Sequence, residues 1–215
     1  MLSAPRWIFF CTLGEFIGFA SAGGIAYVVF TSIPDPTTLG LACALLAGCV
    51  LAGIAEGLSL GLGQWWALRG KFPELRARAW LGASVAAAAG GWILGGVPST
   101  LISLLGRDAG SAAEAATEPS LVWLVGGSAL GGVALGAAFG AIQWRTLRRH
   151  APAARRWIAS NALGWGLALP WSYVAGSSAS AARSPLHALA AAAFAGLAMG
   201  FTVAVANWYA LRAMR

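Results

Sequence analysis

Two glutamates lie where a carboxylate is hardest to keep. Glu15 falls in the run from Trp7 to Phe30 and Glu56 in the run from Leu39 to Leu68, both otherwise apolar. An acid at bilayer depth is expensive and reads first as a functional group, a proton or cation site. Glu15 is eight residues in from Trp7, and Glu56 is eight residues before Gln64. In antiparallel helices both fall about 12 Å inside one interface. At one depth, two carboxyls would share a proton or hold a cation between them. Glu15 lies between Gly14 and Gly18, and Glu56 between Gly53 and Gly57, so each borders a stripe that faces another helix. Arg6 and Arg69 are too far along their own helices to neutralise them. The indole of Trp165, at the matching depth of a later span, is a candidate donor. The structural alternative is a protonated glutamate that bonds a neighbour and locks packing.

The elements that must position this pair are set by composition. Of the 215 residues, 59% are hydrophobic and 10% charged, and the mean hydropathy is +0.73. These values exclude a soluble domain. A bilayer core takes about 20 apolar residues per helix, and six runs qualify: Trp7 to Phe30, Leu39 to Leu68, Ala79 to Leu105, Leu121 to Leu147, Trp157 to Gly176 and Leu186 to Leu211. The net charge of +7 suggests nucleic acid, but the bases sit in short clusters between apolar runs. Twelve of the 14 bases gather on one side if the termini lie with the loops from Arg69 and Arg148. The other side carries Arg107 and Arg183 with Asp35, Asp108, Glu114 and Glu118. By the positive-inside rule both termini are cytoplasmic. The N-terminus also imitates a signal peptide ending at Ala20-Ser21-Ala22, but Glu15 interrupts its apolar region and the repeat below needs it as a span.

The even-numbered runs end alike. Gln64-Trp65-Trp66-Ala67-Leu68-Arg69 matches Gln143-Trp144-Arg145-Thr146-Leu147-Arg148 and Asn207-Trp208-Tyr209-Ala210-Leu211-Arg212. Upstream, glycines recur at every fourth place: Gly53, Gly57 and Gly61; Gly132, Gly136 and Gly140; Gly196 and Gly200, with Ala204 following. The odd runs open as Arg6-Trp7-Ile8, Ala79-Trp80-Leu81 and Arg156-Trp157-Ile158. The expected fold is therefore all-α and polytopic. A single transmembrane domain over 1–215 holds six helices as three parallel two-helix repeats (about 6–69, 77–148 and 155–212) with pseudo-threefold symmetry. Small-residue stripes let helix backbones approach where lipid offers no hydrophobic drive. Trp and Arg at the spans' ends read as interface anchors, with Trp7, Trp65, Trp66, Trp80, Trp144, Trp157 and Trp208 forming a belt. The amides of Gln64, Gln143 and Asn207 either tie helices together or converge on the axis to line a cytoplasmic mouth.

The pattern GxxxGxxQWxxLR, followed by a basic loop and W[IL], resembles a group of uncharacterised bacterial multi-pass membrane proteins built from such repeats. The resemblance covers nearly the whole chain and implies a bacterial cytoplasmic (inner) membrane, but no activity. The three-hairpin plan is similar to that of the mitochondrial carriers, whose Pro-x-[Asp/Glu]-x-x-[Lys/Arg] signature is absent here.

Other groups point elsewhere. Ser160, Asn161 and Ser84 are placed to pair helices. Pro98 and Pro170 would kink the outer halves of their spans. His150 and His187 lie at opposite faces and cannot share a haem. Cys11, Cys43 and Cys49 form no metal or disulfide spacing. No nucleophile elbow, HExxH or phosphate loop appears, so neither an enzyme nor a cofactor is expected. Two functions remain. One is a small transporter or channel using Glu15 and Glu56, with Trp165, Gln64, Gln143, Asn207 and Asn161 as possible partners. The other is a non-catalytic scaffold or accessory subunit whose glycine stripes dock on a second copy or a larger membrane complex. Apart from these, the lipid bilayer is the partner, and nucleic acid is not.

Overall fold

Apolar runs become helices here at capping residues. Ser3 precedes Ala4-Pro5, and the proline's missing N–H falls in a first turn that has no use for it. Thr38 caps the next run by accepting from the Leu41 N–H, and Ser184, before Pro185, accepts from the His187 N–H. The computed structural model describes residues 2–33, 36, 38–105, 121–173, 176 and 184–214. Within them the structure is all helical: α1 (Ala4–Ser32), α2 (Leu39–Leu68), α3 (Ala77–Leu105), α4 (Leu121–Leu147), α5 (Arg156–Ala168) and α6 (Pro185–Ala213), with a 3₁₀ turn at Pro152–Arg155.

Five of these helices, all but α5, are long and apolar enough to cross a membrane. The chain thus has the make-up of a multi-pass membrane protein. The fifth run departs from expectation. Its continuous helix ends at Ala168, a turn follows at Leu169, and helix resumes over residues 170–173. Pro170 supplies the reason, since its nitrogen cannot donate back along the helix. Pro98, by contrast, lies inside α3 without ending it. Asp35, Arg107, Asp108, Glu114, Glu118 and Arg183, the residues expected in the outer loops, lie outside the described residues.

Each helix packs on the next in sequence, the α3–α4 contact being the thinnest, and α6 returns to α1. The glycine stripes set these contacts. A Cβ on Gly57 would lie 2.6 Å from Val85 Cα, and one on Gly53 would overlap Ala89. The stripe of α2 is thus filled by the backbone of α3. Gly132, Gly136 and Gly140 meet Trp165, Asn161 and Ile158 of α5 in the same way, and Gly196 and Gly200 meet α1 at Phe16, Glu15 and Thr12. Large apolar side chains such as Phe9, Leu94, Val122, Leu130 and Phe194 point outward around the bundle.

The end that carries the basic loops has its own core. Trp7, Trp80 and Trp157 have no exposed surface, and both Trp7 and Trp80 meet Trp157 edge-on, with ring centroids 5.8 Å apart. Leu68, Leu147 and Leu211 close over them, with Phe72, Leu75, Ala151, Ala154 and Met214 from the loops and the C-terminal end. This corrects the expected belt. These three tryptophans open their helices on the inward face, one turn before the buried Cys11, Ser84 and Asn161, so they pack on one another rather than on lipid. Trp66, with Arg69 stacked 3.9 Å above its ring, remains exposed.

Candidate functional site

Glu15 and Glu56 are brought together by the close approach of α1 and α2. Gly14 lies against Ser59 and Leu60, and Gly18 lies against Glu56, where a Cβ would come within 3.0 Å of the Glu56 Cα. The two acids therefore lie within about one helical turn of each other along the bundle. Both are buried, Glu15 at 1% and Glu56 at 5% exposure.

Their surroundings differ. Glu15 faces the α1–α6 contact, where a Cβ on Gly200 would lie 2.7 Å from Glu15 Cβ. The missing side chain at Gly200 is what admits the glutamate. Both carboxyl oxygens of Glu15 are buried without a hydrogen-bond partner, as are the Thr12 hydroxyl one turn earlier and the Trp165 indole nitrogen. Glu56 instead reaches α3, where Trp92 Nε1 donates to its Oε2 at 2.6 Å. The donor role expected of Trp165 thus belongs to Trp92. Trp165 packs against Phe139 in the mid-bundle core with Leu60, Ala88 and Met199. The register of α2 on α3 was the available signal for Trp92: Gly57 against Val85 and Gly53 against Ala89 leave residue 92 within the reach of a long side chain from Glu56.

The amides form a separate network nearer the basic end. Gln143 is its hub. Its Nε2 donates to Gln64 Oε1 at 2.8 Å and to Ser84 Oγ at 2.9 Å, and its Oε1 accepts from Trp157 Nε1 at 2.9 Å. Ser84 in turn donates to the Trp80 carbonyl. One side chain of α4 thereby joins α2, α3 and α5 across the thinnest seam. Asn207 does not reach this hub. Its Nδ2 donates to Asn161 Oδ1 at 3.4 Å, its Oδ1 accepts from Ser160, and Asn161 donates to the Trp157 carbonyl. Two of the three motif amides therefore meet directly, and the third is linked through α5. None of Gln64, Gln143, Asn207 or Asn161 bonds either glutamate.

Chemically, the network is complete and the acid pair is not. Every polar atom of Gln143 has a partner, as a buried amide in a packed bundle requires. A buried carboxylate without a donor or counter-charge is untenable as such, so Glu15 needs a proton or a cation. Among the described residues, no three His, Cys, Asp or Glu side chains gather to ligate a metal ion. No protein family, curated protein or solved structure matches the chain.

Proposed function

We propose that the protein is a small transporter or channel of the bacterial inner membrane, with both termini cytoplasmic, in which Glu15 and Glu56 bind a proton or a cation. Three two-helix hairpins close around a pseudo-threefold axis. Each even helix lays its glycine stripe on an odd one: α2 on α3, α4 on α5, and α6 back on α1. The Trp7, Trp80 and Trp157 cluster, with one tryptophan from each hairpin, supports such an axis.

One observation carries the reading: both carboxyl oxygens of Glu15 are buried without a partner. A glutamate kept only to lock packing would bond a neighbour, as Glu56 does with Trp92. Glu15 has two carboxyl oxygens left for an occupant to satisfy. With so little of either acid exposed, the arrangement corresponds to an occluded state. The scaffold reading draws less support, because the glycine stripes it would use for docking are already filled from within the chain. The test is ion flux across proteoliposomes containing the purified chain. Dissipation of a proton or monovalent-cation gradient faster than in empty vesicles supports transport. Equal rates with and without protein exclude it.

A further inference from the structure

At the basic end, the α2–α3 and α4–α5 loops enclose a cleft of about 300 Å³ lined by Lys71, Phe72, Pro73, Glu74, Arg149 and His150. The volume is at the lower limit of small-ligand sites. Its floor is fixed. Phe72 and Leu75 are buried in the tryptophan core, Trp65 Nε1 donates to the Leu75 carbonyl at 3.0 Å, and the Phe72 and His150 rings are in contact with centroids 6.4 Å apart.

The charges around this floor are uncommitted. Other bases nearby are engaged: Arg69 stacks on Trp66, Arg148 lies over Trp144, and Arg6 donates to the Trp66 carbonyl. Among the described residues, Lys71, Arg149 and Glu74 have no ion pair, although all three line one cleft. Lys71 only rests over the Phe72 ring, at 5.7 Å. Two cations and a carboxylate that form no ion pair with one another line the cleft, Lys71 and Glu74 from the α2–α3 loop and Arg149 from the α4–α5 loop. A simple anion would be held by Lys71 and Arg149 and repelled by Glu74. A zwitterion with a phosphodiester and a primary ammonium a few bonds apart satisfies all three.

We infer that this cleft binds the headgroup of an ethanolamine phospholipid. Lys71 and Arg149 hold the phosphate, and Glu74 accepts from the ammonium. Trp65 and Trp66 lie in the last turn of α2 and Trp144 in that of α4, the ends from which the cleft's loops leave, and amphipathic rings at span ends meet lipid headgroups. A choline headgroup carries a similar charge but no N–H for Glu74, and a glycerol headgroup lacks the cation. The order of preference is therefore ethanolamine over choline and over glycerol.

The test is native mass spectrometry of the full chain released from detergent. It would be titrated with phosphatidylethanolamine, phosphatidylcholine and phosphatidylglycerol of identical acyl chains. Wild type should bind the ethanolamine lipid roughly tenfold more tightly than either of the others, the effect of one charge-assisted hydrogen bond. Glu74→Gln should abolish that preference by weakening ethanolamine lipid alone. Lys71→Gln with Arg149→Gln should weaken all three lipids, and by more than the control pair Arg76→Gln with Arg155→Gln, which removes equal charge outside the cleft. Glycerol lipid binding at least as tightly as ethanolamine lipid, or an unchanged preference in Glu74→Gln, overturns the proposal. So does displacement of the lipid by soluble phosphoethanolamine, which would make the free headgroup the ligand. Glu74, Arg76, Arg149 and Arg155 are exposed and Lys71 is half-buried, and an unchanged melting temperature confirms that each variant is folded.

Discussion

Trp92 donates its indole N–H to Glu56 at 2.6 Å and so joins α3 to α2 about one turn from Glu15, which on α1 has no partner. The bond has a measurable consequence. Trp92→Phe keeps the ring but leaves Glu56 Oε2 buried without a donor, and should destabilise the protein by about 1–2 kcal/mol in thermal unfolding in detergent. In a Glu56→Leu background the same substitution should lose most of that effect. Additive losses would mean that the two side chains do not interact.

Gln143 should matter more than either other motif amide. Gln143→Leu removes three bonds at once and strips the Gln64 carbonyl oxygen and the Trp157 indole of their partner, while Ser84 keeps its bond to the Trp80 carbonyl. Single interhelical bonds in membranes are worth about 0.6–2 kcal/mol. The loss should therefore exceed that of Asn207→Leu, measured as the midpoint of denaturant unfolding. The opposite order would remove Gln143 from the centre of the network.

The apolar runs made most of the fold legible. The bounds of α2 and α4 are those read from hydropathy, and the glycine stripes do face helices. The kink expected at Pro170 is a break after Ala168, whereas Pro98 leaves α3 continuous, because composition alone does not say whether neighbouring turns hold a helix together across a proline. The site was half legible. Glu15 and Glu56 stand out because charge is rare at that depth, whereas Trp92 is one tryptophan among eleven and its role depends on the α2–α3 register. Trp7, Trp80 and Trp157 were misread because a tryptophan at a span's end suits a lipid interface and a core equally. Their spacing one turn before Cys11, Ser84 and Asn161 was the signal for the inward face.

That distinction can be tested optically. In variants that each retain one tryptophan, brominated lipids should quench Trp66 and Trp123, which are exposed, and leave Trp157 nearly unquenched. Strong quenching of Trp157 would return it to the lipid-facing belt.

The glycine contacts predict a sharp contrast between positions. Gly57→Leu must push Val85 and the α3 backbone away, and should yield little monodisperse protein by size exclusion. Gly126→Ala, where an added Cβ meets nothing within 4 Å, should be recovered like wild type. Equal recovery of both would show that α2 and α3 are not in backbone contact.

The central claim is that Glu15 holds the transported ion, and the most direct measurement is the initial rate of proton or cation entry into proteoliposomes. Wild type, Glu15→Gln and Glu56→Gln would be reconstituted at equal density after each is shown to be folded. The account predicts flux above empty vesicles for wild type, none for Glu15→Gln, and an intermediate rate for Glu56→Gln, whose amide can still accept from Trp92. Indistinguishable rates for wild type and Glu15→Gln would contradict it.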